Sequence, residues 1–320
     1  MRLKSFVLVA AFCLIFSCAK APQASFNSEN GKLKVLATTA MIDDLIAEIA
    51  GDAIDHVSLI LGDLDPHSYE IVKGDDDKIL RADVIFSNGL GLEHGASVRE
   101  HLRKHPCVVS LGDFLIQEDR HPFLTIDGQL DPHFWMDVEL FSRTIRPIIT
   151  TLSEKDPIHA SLFEKRGANL HKKMIEKDRI FWEKMQHIPE EKRYLVSSHD
   201  AFYYFAKKYL ASPGETDWKK RFMAPQGLAP DGQMSVVDIQ KVSDFLCLNE
   251  ISVVFPETNI SQDALKKIVS ICREKGLFVK IAKTPLYGDT MGVKGTGADT
   301  YLDMIEHNVD VLVEELSKKS

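Results

Sequence analysis

About 30 residues from Pro157 to His187 constrain this chain more than any other stretch. They are dense in Lys and Glu and lack Gly-Pro punctuation apart from Gly167. Leu162, Phe163, Ala168, Leu170, Met174, Ile175, Phe181 and Trp182 recur at roughly helical spacing, and Pro189 supplies a stop. At 1.5 Å per residue such a helix runs roughly 45 Å, longer than one small domain needs. A helix of that length is best suited to be a rigid spine between two halves.

Both flanks alternate short β runs with amphipathic helical stretches, which predicts parallel sheets. Before the spine, strands are expected at 34–37, 57–61, 84–87 and 108–111, with helices at 75–81, 92–104 and 137–152. After it, strands are expected at 194–197, 251–255 and 278–281, and helices at 201–210, 236–248, 263–275 and 300–316. The expected fold is α/β: two β/α lobes with parallel sheets, residues 34–155 and 189–320, joined by one long rigid helix at 156–188. A crevice between lobes is the natural place for a ligand.

Residues 1–17 read as a signal peptide, with Arg2 and Lys4 ahead of an apolar core from Phe6 to Phe16. That core is shorter than the roughly 20 residues of a membrane span. Ile15-Phe16-Ser17-Cys18 resembles a lipobox, making Cys18 a candidate lipid anchor, although Phe16 is bulky for that motif; cleavage slightly later is the alternative. Residues 18–33 read as a tether, and the mature chain is expected outside the cytoplasm, in the periplasm or held at a membrane. The 39 basic side chains, less Arg2 and Lys4, leave 37 against 47 acidic ones, a charge near −10. That balance argues against nucleic-acid binding and suits attraction of cations. Cys107 reads as a small core residue, while Cys247 and Cys272 flank one strand-helix unit and are candidates for a disulfide.

The tetrapeptide Leu64-Asp65-Pro66-His67 recurs as Leu130-Asp131-Pro132-His133. Proline pins the backbone before each His, and the Asp two residues back is placed to accept a hydrogen bond. His199 follows the strand at 194–197, and Asp289 lies in a Gly-rich turn past the strand at 278–281. Ligands of open α/β sheets bind outside the carboxyl ends of strands. Three imidazoles and one carboxylate suit a first-row divalent ion, yet separations of 66, 66 and 90 residues form no local motif.

The motifs Asp65-Pro66-His67-Ser68-Tyr69-Glu70, Asn88-Gly89-Leu90-Gly91-Leu92-Glu93, Asp131-Pro132-His133-Phe134-Trp135-Met136-Asp137, Ser198-His199-Asp200 and Gly288-Asp289-Thr290-Met291-Gly292 decide more. With Asp299 to Asn308, they resemble the TroA-like metal-binding receptors of bacterial ABC importers across essentially the whole mature chain. The resemblance implies two lobes on a long helix and the metal ligands His67, His133, His199 and Asp289. It also implies capture of a divalent transition metal for delivery to an ABC permease, by a protein expected to act as a monomer. No His-rich acidic loop is present, so Fe2+ or Mn2+ is favoured over Zn2+ as cargo.

Three departures carry expectations. Ile71 stands where the family often has Pro, predicting a looser turn near the metal. Gln233-Met234-Ser235 replaces Glu-Pro-Ser and removes a carboxylate. The segment 212–226 looks longer than the family's loop. Among the other histidines, His94 is the best extra polar contact near the crevice, His307 reads as a structural hydrogen bond, and His101 and His105 as part of a solvated basic patch. The rival class is a secreted metal-dependent hydrolase using the same three histidines and one aspartate, with Glu257 as the spare base, but no His-Glu-x-x-His is present. No repeats or stalk support an adhesin.

Overall fold

The computed structural model describes residues 26–230 and 234–318. The signal peptide, Cys18 and Gln233 lie outside the described residues.

The first half builds a four-stranded parallel sheet from β1 (Lys34–Ala37), β2 (Asp55–Ser58), β3 (Val84–Ser87) and β4 (Val108–Ser110), in the order β2-β1-β3-β4. Every residue of β1 and β3 is buried, as expected for central strands covered on both faces. Helices α1 (Ala40–Ala50), α2 (Asp75–Arg81) and α3 (Ala96–Lys104) make the crossovers, and α4 (Leu111–Glu118) follows β4 directly. A short hairpin, β5 (Thr125–Ile126) and β6 (Gln129–Leu130), turns at Asp127-Gly128 with both residues at positive φ.

The expected helix at 137–152 is two helices, α5 (Val138–Ser142) and α6 (Ile145–Lys155). The Ser142 and Thr144 hydroxyls bond to carbonyls three residues back, at Glu139 and Phe141. Pro147, with no N–H to give, bars a continuous ladder. Helix α3 begins at Ala96 rather than 92, because residues 88–93 form a turn around the Glu93 carboxylate.

The spine is α7 (Ala160–Gln186), 27 residues and roughly 40 Å long, entered through a 3-10 turn at Pro157–His159. Its buried face runs Phe163, Gly167, Leu170, Met174, Asp178, Phe181 and Met185, a spacing of three and four that keeps one stripe inward. Leu162 and Ile175 do not belong to this stripe, and Ile175 is 37% exposed. Arg166 donates to the Ala50 carbonyl at the end of α1, 2.8 Å away. Lys177 and Lys184 pair with Glu306 and Asp310 of the last helix, α11 (Tyr301–Ser317), each at 2.7 Å. One apolar cluster therefore runs from the first sheet through α7 to Ile305, Val309 and Leu312.

The second half has β7 (Leu195–Val196), β8 (Phe222–Met223), β9 (Val253–Val254) and β10 (Lys280–Ile281), with helices α9 (Val236–Leu248) and α10 (Asp263–Glu274). A short helix α8 (Tyr203–Phe205) continues into a π turn at Ala206–Leu210. β7 pairs with β8 and β9 with β10, all parallel, and Phe255 N donates to Val196 O at 2.8 Å to join the pairs. The resulting order, second-first-third-fourth, repeats that of the first sheet. Strand β8 lies inside the stretch expected to be a loop, because two strand residues leave too short a signal in polar sequence. Ser235 and Asp238 form a capping box that starts α9.

The expected disulfide is absent: Cys107, Cys247 and Cys272 are free thiols. Burial and the neighbouring Cys247 push the Cys272 thiol up to about 11. Cys107 is half-exposed rather than core, with Lys155 Nζ 3.4 Å from its sulfur. No helix among the described residues is long and apolar enough to cross a membrane.

Gly167 is the contact on which α6 and α7 close. A Cβ there would meet Ile149 Cδ1 well inside contact distance, at 2.2 Å. Gly167→Ala gains about 1 kcal/mol of helix propensity but overpacks by about 1–3 kcal/mol, so net destabilisation is expected in urea unfolding. Adding Ile149→Ala should recover part of the overpacking loss, and a more stable single variant would refute the close contact.

Candidate metal centre

The two Asp-Pro-His segments fold alike. His67 N donates to Asp65 Oδ1 at 2.9 Å, and His133 N donates to Asp131 Oδ1 at 3.0 Å. Here the repeat diverges. Asp65 also accepts from the Ser68 hydroxyl, whereas Asp131 Oδ1 lies 2.7 Å from His133 Nδ1. His133 leaves the β5–β6 hairpin rather than a sheet strand. Asn88 Nδ2 bonds to the Pro132 carbonyl at 3.0 Å and fixes that backbone.

His199 leaves the end of β7. Glu257, past the end of β9, accepts from the amides of Ser198 and His199 at 2.8 and 2.9 Å, and its other oxygen lies 2.7 Å from His199 Nδ1. Asp289 follows β10 on a loop braced by α11: Asn308 exchanges two hydrogen bonds with the backbone of Tyr287, and His307 bonds to the Pro285 carbonyl. Gly288 must be glycine for this packing, since a Cβ would sit 2.3 Å from Glu257 Oε2.

These segments bring His67, His133, His199 and Asp289 together, with one ligand atom from each all within 4.8 Å of one another. Their exposures are 2%, 0%, 0% and 4%. His67 Nε2 to His133 Nε2 is 3.1 Å. Asp289 oxygens lie 3.8, 3.4 and 3.1 Å from the Nε2 atoms of His67, His133 and His199. Donors about 2.1 Å from a tetrahedral ion stand about 3.4 Å apart, so the spacing fits one first-row metal. Both Asp289 oxygens and His199 Nε2 are buried with no aligned hydrogen-bond partner, which is what a site built to coordinate an ion offers.

The remaining expectations divide. His94 lies beside His67, ring centroids 5.6 Å apart, but is not one of the four clustered groups. His307 makes its structural bond. His101 faces Asp76 and His105 the Ala82 carbonyl, so they share no ligand. The turn at Ile71 carries its own bonds: Ile71 N donates to Ser97 Oγ at 2.7 Å, while Glu70 accepts from the amides of Ala96 and Ser97. A proline has no N–H for that bond. Sequence reasoning missed Glu257 as a partner of His199 and Glu93 as the acceptor that joins Thr38 to the 88–89 turn.

Residues 35–315 match the family described as zinc-uptake complex component A, periplasmic. The chain belongs to this family. It is 38% identical over 313 residues to the metal-binding protein YtgA of Chlamydia muridarum, covering 97% of the chain and 94% of that relative. It is 31% identical to the manganese-binding lipoprotein MntA of Bacillus subtilis, covering 97% of each. Fe(III)-bound YtgA from Chlamydia trachomatis superposes with a TM-score of 0.84 at 38% identity, covering 90% of this chain and 99% of that one. The periplasmic zinc-binding protein TroA of Treponema pallidum gives 0.81 at 29% identity, covering 90% and 100%. The TroA-like resemblance read from the motifs therefore holds across the fold of this family.

Protons compete for the imidazoles. Burial lowers the basicity of His133, but Asp131 and Asp289 outweigh it and raise its pKa to about 9. Burial likewise opposes charge on His199, yet Asp289 and Glu257 raise its pKa, while burial holds His67 well below its ordinary value despite Asp289. A metal binds the deprotonated ring, so it must displace protons that acid restores. Affinity is expected to fall steadily between about pH 8 and about pH 5.5, with proton uptake by buffer visible in calorimetry. Flat affinity across that range would contradict the arrangement. Glu257→Gln should weaken metal binding about 10–100-fold, as loss of a ligand's carboxylate partner does.

Proposed function

We propose that this chain captures a transition-metal ion outside the cytoplasm through His67, His133, His199 and Asp289 and hands it to an ABC permease. The observation that carries the reading is the buried Asp289 carboxylate, unpaired by any aligned donor and 3.1–3.8 Å from three imidazole nitrogens. In this reading residues 34–155 and 189–320 are the two lobes, 156–188 is the link, and the receptor acts as a monomer without nucleic acid. A lipid on Cys18 would hold it at the membrane, in keeping with lipoprotein relatives such as MntA.

Iron or manganese, rather than zinc, is the proposed physiological cargo. The chain has no His-rich acidic loop, and its similar relatives include an Fe(III)-bound and a manganese-binding protein. Zinc still binds such N and O donors at least as tightly, because affinity follows the Irving–Williams order. Anaerobic purification with elemental analysis, then competition among Mn2+, Fe2+ and Zn2+, distinguishes the cargo from the tightest binder. Zinc alone in protein purified without air would overturn the preference.

The hydrolase alternative loses support on two grounds. Four protein donors leave no open position of the kind a catalytic zinc keeps for water. Glu257, the spare base, is engaged by two backbone amides and the His199 ring. The proposed role is therefore binding rather than turnover.

Asp289→Ala is expected to yield a folded chain with metal affinity lowered roughly 100-fold or more, beyond the loss from an outer partner. Unchanged affinity by calorimetry would remove Asp289 from the site. The fastening of α7 to α1 and α11 implies small rocking of the lobes on release. Solution scattering from metal-free and loaded protein should nearly superimpose.

A further inference from the structure

We propose that Trp135 is a positioning residue that locks the His133 segment to the Asp289 loop and so sets the Asp289 carboxylate in register with the imidazoles. The inference rests on the metal-binding reading above. Trp135 lies two residues past His133, and its ring meets the His133 ring edge-on at 5.1 Å. Its indole Nε1 donates to the Gly288 carbonyl at 3.0 Å, joining the ligand segment of one lobe to that of the other. Trp135 is 1% exposed, and an indole N–H can only donate, so the Gly288 carbonyl satisfies a group that would otherwise be buried and unpaired.

The backbone of Trp135 is held as firmly as its side chain. Its carbonyl accepts from the Tyr301 hydroxyl at 2.6 Å, and the Tyr301 amide donates to Asp44 Oδ2 at 2.9 Å. The Trp135 backbone is thereby tied through Tyr301 to α11 of the second lobe and α1 of the first. Gly288 passes the constraint on. Its missing Cβ brings the backbone against Glu257 Oε2 and His199 Cε1, which an added Cβ would meet at 2.3 and 3.2 Å. One backbone residue therefore touches the Trp135 donor, precedes Asp289 and abuts the carboxylate that holds His199. His67 lies outside this circuit, since neither the Trp135 ring nor the Gly288 backbone, which between them touch His133, Glu257 and His199, meets its segment. His133, His199 and Asp289 form the preset part of the site, with Trp135 as the tie.

Trp135→Phe keeps an aromatic ring beside His133 and removes the N–H. Expected outcomes are an Mn2+ affinity lowered about 10–100-fold by calorimetry and a changed visible absorption spectrum of the Co2+-loaded protein. In the metal-free chain, amide exchange at residues 287–290 should accelerate. Tyr301→Phe, which frees the Trp135 carbonyl, should move the same three readouts in the same direction by less, and keeps the proposal testable if Trp135→Phe does not fold. Wild-type affinity and Co2+ spectrum in Trp135→Phe would overturn the proposal. So would weakened affinity with an unchanged spectrum and unchanged exchange at 287–290, which marks general loosening rather than positioning. If Asp289→Ala binds metal normally, the metal-binding reading fails instead, and the two failures are told apart.

Discussion

A carboxylate buried among three imidazoles, with no aligned hydrogen bond to either oxygen, is the constraint around which this molecule is organised. Removing an ionised group from water costs several kcal/mol or more unless it is paired, and a protein tolerates that only where the surroundings hold and offset the group, as His133 and His199 do here at 3.4 and 3.1 Å, or where a ligand compensates it. The surroundings here do the first. Asp131 and Glu257 each bind a ring nitrogen of one His and the backbone amide beside it. Asn308 and His307 fix the loop before Asp289. The cluster is a set of matched donors that a transition-metal ion could take in place of the protons on His133 and His199.

Placing donors from two lobes around one point requires that the lobes present the same edge. The strands of both halves succeed one another second-first-third-fourth, as one four-stranded sheet in the first half and as two pairs joined by the Phe255–Val196 bond in the second, and His67, His199 and Asp289 all follow strand ends. The two carboxyl edges therefore face one cleft, as open α/β sheets lead one to expect. Helix α7 supplies the rest of the geometry by lying against both lobes along one apolar stripe. The polar member of that stripe, Asp178, accepts from the Tyr209 hydroxyl at 2.6 Å and pairs with Lys208 at 3.1 Å, both from the π turn. A π turn is rare and is found mostly where it serves function; here it aims two side chains at the spine.

The donor set reconciles tight capture with eventual release. His133 and His199 are braced by carboxylates, which raise their basicity toward protons and metals alike. His67 has only the bonds of its own turn at its backbone and is held neutral by burial. An arrangement with unequal ligands suits a carrier better than one in which all donors are equally fixed, because a carrier must let go.

The α/β alternation, the spine, the four candidate ligands and the family to which their motifs point were all legible in the chain before any folding was known. The alternation and the spine are carried by local apolar periodicity, whereas the ligand set and the family rest on the resemblance of whole motifs, since separations of 66, 66 and 90 residues form no local pattern. The break at Ser142–Thr144, the strand at Phe222–Met223, the free thiols and the bond made by Ile71 N emerged only in three dimensions. So did the roles of Glu257, Gly288 and Trp135. Glu257 looked like a spare base because the sequence displays its chemistry but not the His199 ring 58 positions away that occupies it. These points escaped the sequence because ring nitrogen to carboxylate and indole to carbonyl contacts join residues far apart in the chain. Their distances are set by how two lobes close on one helix, which no local pattern encodes.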